Sequence, residues 1–156
     1  MNRPCRSSDP CVSVNLILGR IIAALRDEAG DSQVKFAARF KKKPVNLGPD
    51  VVARLEVGRS ATTAPQLYWI ERHFVDKRAL PRMGSIFTLA NACERKLKRR
   101  GVRVIEKAPR ADQHYSRTRL YSLVQEMVYA RNTGVVFPSF EEFDKDMMEN
   151  SDTLRF

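Results

Sequence analysis

Cysteine is scarce in this 156-residue chain, with only Cys5, Cys11 and Cys93. An odd, irregularly spaced set does not make a disulfide framework, so thiols in a reducing compartment are the expectation. Histidine is scarcer still, at His73 and His114. Neither lies near Cys5 or Cys11, so no zinc spacing arises and no metal is expected. Long apolar runs are missing too, and nothing approaches the roughly 20 residues of a membrane span. The stretch from Val12 to Ile22 is broken by Ser13, Asn15, Gly19 and Arg20, which makes a poor secretory signal. The expected location is therefore the cytoplasm, with no membrane partner. There is also no Gly-rich phosphate loop and no Ser/His/Asp or Cys/His arrangement, so neither an enzyme nor a cofactor is expected.

Acidic side chains are few relative to basic ones: 18 Asp and Glu face 28 Lys and Arg, for a formal net charge of +10. An excess of this size on a small chain points to a polyanionic partner, nucleic acid first. The excess sits in residues 1–111, because residues 112–156 carry more Asp and Glu than Lys and Arg.

What is present is helical periodicity. Leu18, Ile21, Ile22, Leu25 and Ala29 recur at helical spacing and predict a first helix from Val14 to Glu28, stopped at Gly30. Asp31-Ser32 can cap a short second helix bearing Phe36, Ala37 and Phe40. Lys41 to Gly48 reads as a loop, since it holds Pro44, Gly48 and a basic triplet. Pro49 suits a first helical position and Asp50 the positive end of a helix dipole, so a third helix runs from Pro49 to about Val57 and stops at Gly58. Pro65 and Gln66 open a fourth, with Leu67, Ile70 and Phe74 on one face and Trp69 on its flank. After a break from Pro81 to Ser85, Ile86, Leu89, Ala90, Cys93 and Leu97 trace the face of a fifth helix ending at Gly101. On that face Cys93 reads as a core residue. Val102, Val104 and Ile105 fit a short extended segment. A last helix is expected from Tyr115 to Arg131.

Residues 14–76 resemble the phage-repressor/Cro-type (Xre-like) helix-turn-helix family. The likeness rests on an ordered set: Leu25-Arg26, Gly30, Ser32-Gln33, Phe36-Ala37, then Arg54-Leu55-Glu56-Val57-Gly58, and Pro65 with Leu67. It implies a mainly α, lambda-repressor-like helix-turn-helix bundle, here with an additional C-terminal helix and an acidic tail. The corresponding division is a flexible arm over 1–13, the DNA-binding domain over 14–76, a basic helical extension over 77–111, and the C-terminal helix and tail over 112–156. The implied function is a sequence-specific, repressor-like transcriptional regulator of bacterial, plasmid or phage origin, binding double-stranded DNA as a homodimer. The alternative is the same scaffold used for protein interaction, antitoxin-like, or for non-specific nucleic-acid binding.

The resemblance also implies residue roles. Arg26 and Glu56 would form a partly buried ion pair between the first and third helices. Ser32 and Gln33 would meet a DNA phosphate at the start of the second. Pro49, Asp50, Val51, Ala53 and Arg54 would form the reading edge, with Arg59 and Ser60 along the sugar-phosphate backbone. The chain departs from the family in its turn, which is about five residues longer than usual and carries Lys41, Lys42 and Lys43. The helix tip also lacks an amide or guanidinium for a purine edge. Asp50 could accept from cytosine, Val51 could touch a thymine methyl and Arg54 could reach guanine or phosphate. Alternatively, the lysine triplet binds through phosphates alone, or is simply solvated.

Outside the matched segment, Arg95, Lys96, Lys98, Arg99, Arg100, Arg103, Lys107 and Arg110 form a second basic cluster that either widens the DNA footprint or is solvated. Leu120, Leu123, Val124, Met127 and Val128 form an apolar face expected at a dimer contact, or alternatively folded back on the fifth helix. The tail combines Glu141, Glu142, Asp144, Asp146, Glu149 and Asp152 with Phe140, Phe143, Met147 and Met148. It could bind a protein partner or compete with DNA for the basic face.

Overall fold

A computed structural model describes residues 10–106 and 115–132 of the chain, and for 130–132 the backbone only. The described part is mainly helical: β1 (Cys11–Ser13), α1 (Val14–Glu28), α2 (Gln33–Ala38), α3 (Pro49–Glu56), α4 (Ala64–Asp76), α5 (Ser85–Arg99), β2 (Arg103–Ile105) and α6 (Arg117–Asn132). No helix among the described residues is long and apolar enough to cross a membrane.

Local chemistry sets the helix starts. The side chains of Ser13, Ser32 and Thr63 accept from the backbone N–H groups of Leu16, Lys35 and Gln66, and so cap α1, α2 and α4. At α4 the Gln66 side chain reaches back to the Thr63 N–H and completes a capping box. The ends are as regular. Gly30, Gly58 and Gly101 have positive φ two residues beyond the last residues of α1, α3 and α5, and paired backbone bonds close each end. At α3, for instance, Gly58 N–H donates to Leu55 and Arg59 N–H to Arg54. α4 closes in the same way on Arg78, the one non-glycine residue with positive φ among those described.

α1 is the centre of the molecule. Leu16 to Gly19 and Ile21 to Leu25 are all buried, which an amphipathic stripe on one face cannot achieve. The helix is enclosed because α3, α5, α6 and β1 all pack on it. Gly19 permits the closest of these approaches: a Cβ there would lie 2.0 Å from the Leu55 carbonyl oxygen, so α1 meets the end of α3 backbone to backbone. A second nucleus joins α2 to α4. Phe36 stacks on Phe74 at 5.6 Å and meets Phe40 edge-on at 5.0 Å, with the His73 ring packed against all three. Aromatic pairs of this kind contribute about 0.5 to 1.5 kcal/mol each beyond their burial.

Three expectations are corrected. Residues 11–13 are not part of a flexible arm: they pair in parallel with Arg103–Ile105, register Cys11 to Arg103, and are buried. Backbone bonds from Arg103 N–H to Pro10 and from Tyr115 N–H to Cys11 fix this strand from two sides. Cys11 is disulfide-bonded and not a thiol, whereas Cys93 is a free cysteine buried in the core. Burial pushes the Cys93 thiol up to about 12, so it stays protonated and unreactive at neutral pH. Finally, Leu120, Leu123, Val124, Met127 and Val128 are buried within the single chain, on a helix that packs against α1 and α5. Their apolar area is already removed from water, so this face is not a surface for a second copy. Residues 1–9, Lys107, Arg110, His114 and the acidic tail lie outside the described residues.

Candidate nucleic-acid interface

A polar cluster lies where α1, α2 and α3 meet. Glu56, at the last turn of α3, is 1% exposed, and its carboxylate receives Arg26 through two bonds: Nε to Oε2 at 2.6 Å and Nη2 to Oε1 at 2.8 Å. This parallel fork is the strongest geometry available to the two groups. Arg26 also donates from Nη1 to the Asp31 carbonyl at 2.8 Å, so the guanidinium ties the turn after α1 to the same point. Hydrogen bonding to Glu56 raises the Arg26 pKa above its already high ordinary value and outweighs the opposing effect of burial.

Gln33 joins this cluster. Its side-chain Nε2 donates to Glu56 Oε1 at 2.9 Å, so the amide points inward and holds α2 to α3. The side chain expected against a phosphate is therefore engaged within the protein, while the backbone at the start of α2 remains at the surface. Ser32 is similarly occupied, since its hydroxyl caps Lys35 N–H.

Arg20 was legible in the sequence only as a break in an apolar run. It donates to the Glu56 backbone carbonyl from both Nε, at 2.8 Å, and Nη2, which places a cation at the negative end of the α3 dipole. Its guanidinium lies 5.0 Å from the centroid of the Tyr121 ring. The Tyr121 hydroxyl is bonded in turn to Asp27. Burial and that carboxylate push the Tyr121 pKa up to about 12.

On the outer side of this frame, Pro49, Asp50 and Arg54 are exposed along α3, with Arg59 exposed just beyond it. Val51, Ala53 and Ser60 are half-buried, and Val51 packs partly against the core, so less of it is open to a partner than the sequence implied. Lys41, Lys42 and Lys43 are all exposed on the loop between α2 and α3.

The loop itself is anchored. Leu47 is buried, Gln66 Nε2 donates to the Asn46 carbonyl at 3.0 Å, and Lys43 Nζ stands 5.2 Å from the Trp69 ring centroid. In the second basic cluster, Lys98, Arg99 and Arg100 are exposed, whereas Arg95, Lys96 and Arg103 are half-buried. Lys98 pairs with Glu94 one turn earlier at 3.0 Å.

Sequence reasoning missed Glu71. This buried carboxylate accepts from Gly84 N–H at 2.6 Å and Ile86 N–H at 2.8 Å, and so caps α5 from a different helix. No local signal marks such a cap, because the acceptor is thirteen residues upstream of the nearer donor. No group of three metal-ligating side chains occurs among the described residues. The chain matches no protein-family model, no curated protein and no solved structure.

Proposed function

We propose that this chain is a DNA-binding regulator of the phage-repressor/Cro helix-turn-helix type, with α2 and α3 as its DNA-facing pair. The observation that carries the reading is the Arg26–Glu56–Gln33 cluster, which fixes α1, α2 and α3 in one unit and leaves an outer edge of Asp50, Arg54 and Arg59 beside three exposed lysines. A rigid pair of helices with cations flanking an exposed edge suits a duplex groove: the cations position the protein on phosphates and the edge meets bases. Arg54 is the side chain best suited to guanine, and Asp50 to a cytosine amino group.

A non-specific mode is the second reading, favoured by one observation. The exposed start of α3 presents a carboxylate, Asp50, and no amide, while Lys41 and Lys42 are free of ion pairs with any described residue. Phosphate contacts by such lysines carry affinity without sequence information. Titrating the full chain against its own upstream DNA and a scrambled duplex, over a salt series, separates the two. Specific regulation predicts binding to one duplex that survives competitor, weakened by Arg54→Ala far more than binding to the scrambled one. Non-specific binding predicts equal affinities, with the salt slope falling by about 0.9 for each lysine contact removed. No binding to either duplex overturns both.

A further inference from the structure

A hollow of about 400 Å³ lies between the end of α2, the loop after it and the second half of α4. That volume falls in the range of small-molecule sites, about 300 to 1,000 Å³. Its lining divides by chemistry. Trp69 and His73 supply aromatic surface, backed by the buried Phe40, while Arg39, Lys43, Arg72 and Lys77 supply four cations against one carboxylate, Asp76. Two of the cations are partly committed: Arg39 pairs with Asp31 at 3.1 Å, and Arg72 lies 3.7 Å from Asp76. Lys43 and Lys77 form no ion pair with a described residue.

We propose that this hollow binds a small aromatic anion of the nucleotide class, its phosphate held by Lys43, Arg72 and Lys77 and its ring set against Trp69 and His73. The two halves of the lining meet where Lys43 stands over the Trp69 indole at 5.2 Å, so a phosphate drawn to Lys43 brings an attached planar group to the aromatic wall. An inorganic anion would use only the cationic half, and an uncharged base only the other. His73 contributes a neutral ring: burial lowers its pKa first, and the charges of Arg39 and Lys77 lower it further. It can therefore accept or donate a hydrogen bond without adding charge. The site does not depend on the DNA-binding reading, since its lining lies outside the Asp50, Arg54 and Arg59 edge, shares only Lys43 with the lysine loop, and its nucleotide affinity is measured without DNA.

Trp69 is the chain's single tryptophan, so its emission reports on this hollow alone. The full chain is titrated with adenosine 5′-monophosphate, following Trp69 fluorescence, with calorimetry as a second measurement. The expected result is saturable binding, with inorganic phosphate and adenosine each at least about tenfold weaker, because each lacks one half of the recognition. Lys43→Gln and Lys77→Gln change exposed side chains, so both variants fold, as circular dichroism will verify. Each is expected to weaken the nucleotide about tenfold, the factor for one lost charge-assisted contact. Absence of saturable binding, adenosine binding as tightly as the nucleotide, or lysine variants with unchanged affinity overturns the proposal. So does a response to a DNA duplex alone, which would make the hollow part of a polymer groove.

Discussion

Among the described residues, Glu56 gathers the helix junction: Arg26 and Gln33 both donate to its carboxylate, and Arg20 donates to its backbone carbonyl. Removing its charge leaves Arg26, whose side chain is 12% exposed, largely out of water with a weakened partner. Glu56→Gln is accordingly expected to cost about 3 kcal/mol, the lower end for breaking a buried pair. In a chain of this size that lowers the melting temperature by about 6–12 °C, and an unchanged melting temperature refutes the role assigned to the pair. His73 yields a prediction of a different kind. Its folded pKa lies below the ordinary 6.5, chiefly through burial among Phe36, Phe40 and Phe74, with Arg39 and Lys77 acting the same way against Asp31 and Asp76. The unfolded chain therefore takes up the proton first, so this contribution to stability is complete above 6.5 and is lost as the pH falls towards the folded value. Denaturant unfolding at pH 7.5 and 5.5 should show lower stability at the acidic point. His73→Asn, uncharged at both, should lose that part of the difference.

At the scale of elements, α1 shows how a helix can be recognised correctly while its surroundings are not. Its limits follow from Ser13, the apolar repeat and Gly30, all local, and the expected and observed spans coincide at Val14 to Glu28. Its enclosure on every side is not local. Gly19 looks like an interruption in the sequence, yet it is where α1 touches the Leu55 carbonyl. Gly19→Ala is expected to destabilise by about 3 kcal/mol, since neither backbone can yield to a methyl group without moving a packed helix. Urea unfolding measures it, and a change under 0.5 kcal/mol would show that the two helices slide apart freely. The last helix teaches the same lesson from outside: its apolar residues were legible, but a stripe that meets α1 looks identical to one that meets another chain.

For the whole molecule, the packing of α6 on α1 joins residues 115–132 to the same core as the α1–α4 segment. The division of the chain at residue 76 therefore does not separate cores, and the family-like segment shares its central helix with later residues. Leu120 and Val124 face that junction fully buried. Leu120→Ala should destabilise by about 2–5 kcal/mol, in line with other buried leucines. The expected signature is one cooperative transition shifted as a whole, observed identically by Trp69 fluorescence and by circular dichroism. If α6 instead melts separately while Trp69 reports no change, the helix is an appendage and the single-core description fails.

Local signals suffice for the helices and most of their ends, because capping residues, proline at the first turn, glycine at the last and a 3.6-residue repeat all act within a few positions of one another. The sequence also indicated that Arg26 and Glu56 belong together, through the spaced residues of the family likeness. What meets across distance is settled by packing: β1 with β2, Glu71 with the start of α5, Gln33 turned inward onto Glu56, and the α6 stripe on α1. The physical reason is common to these cases. A hydrogen-bond donor or an apolar face specifies that it needs a partner, but several partners satisfy the same chemistry, and only the packing of the whole chain selects one.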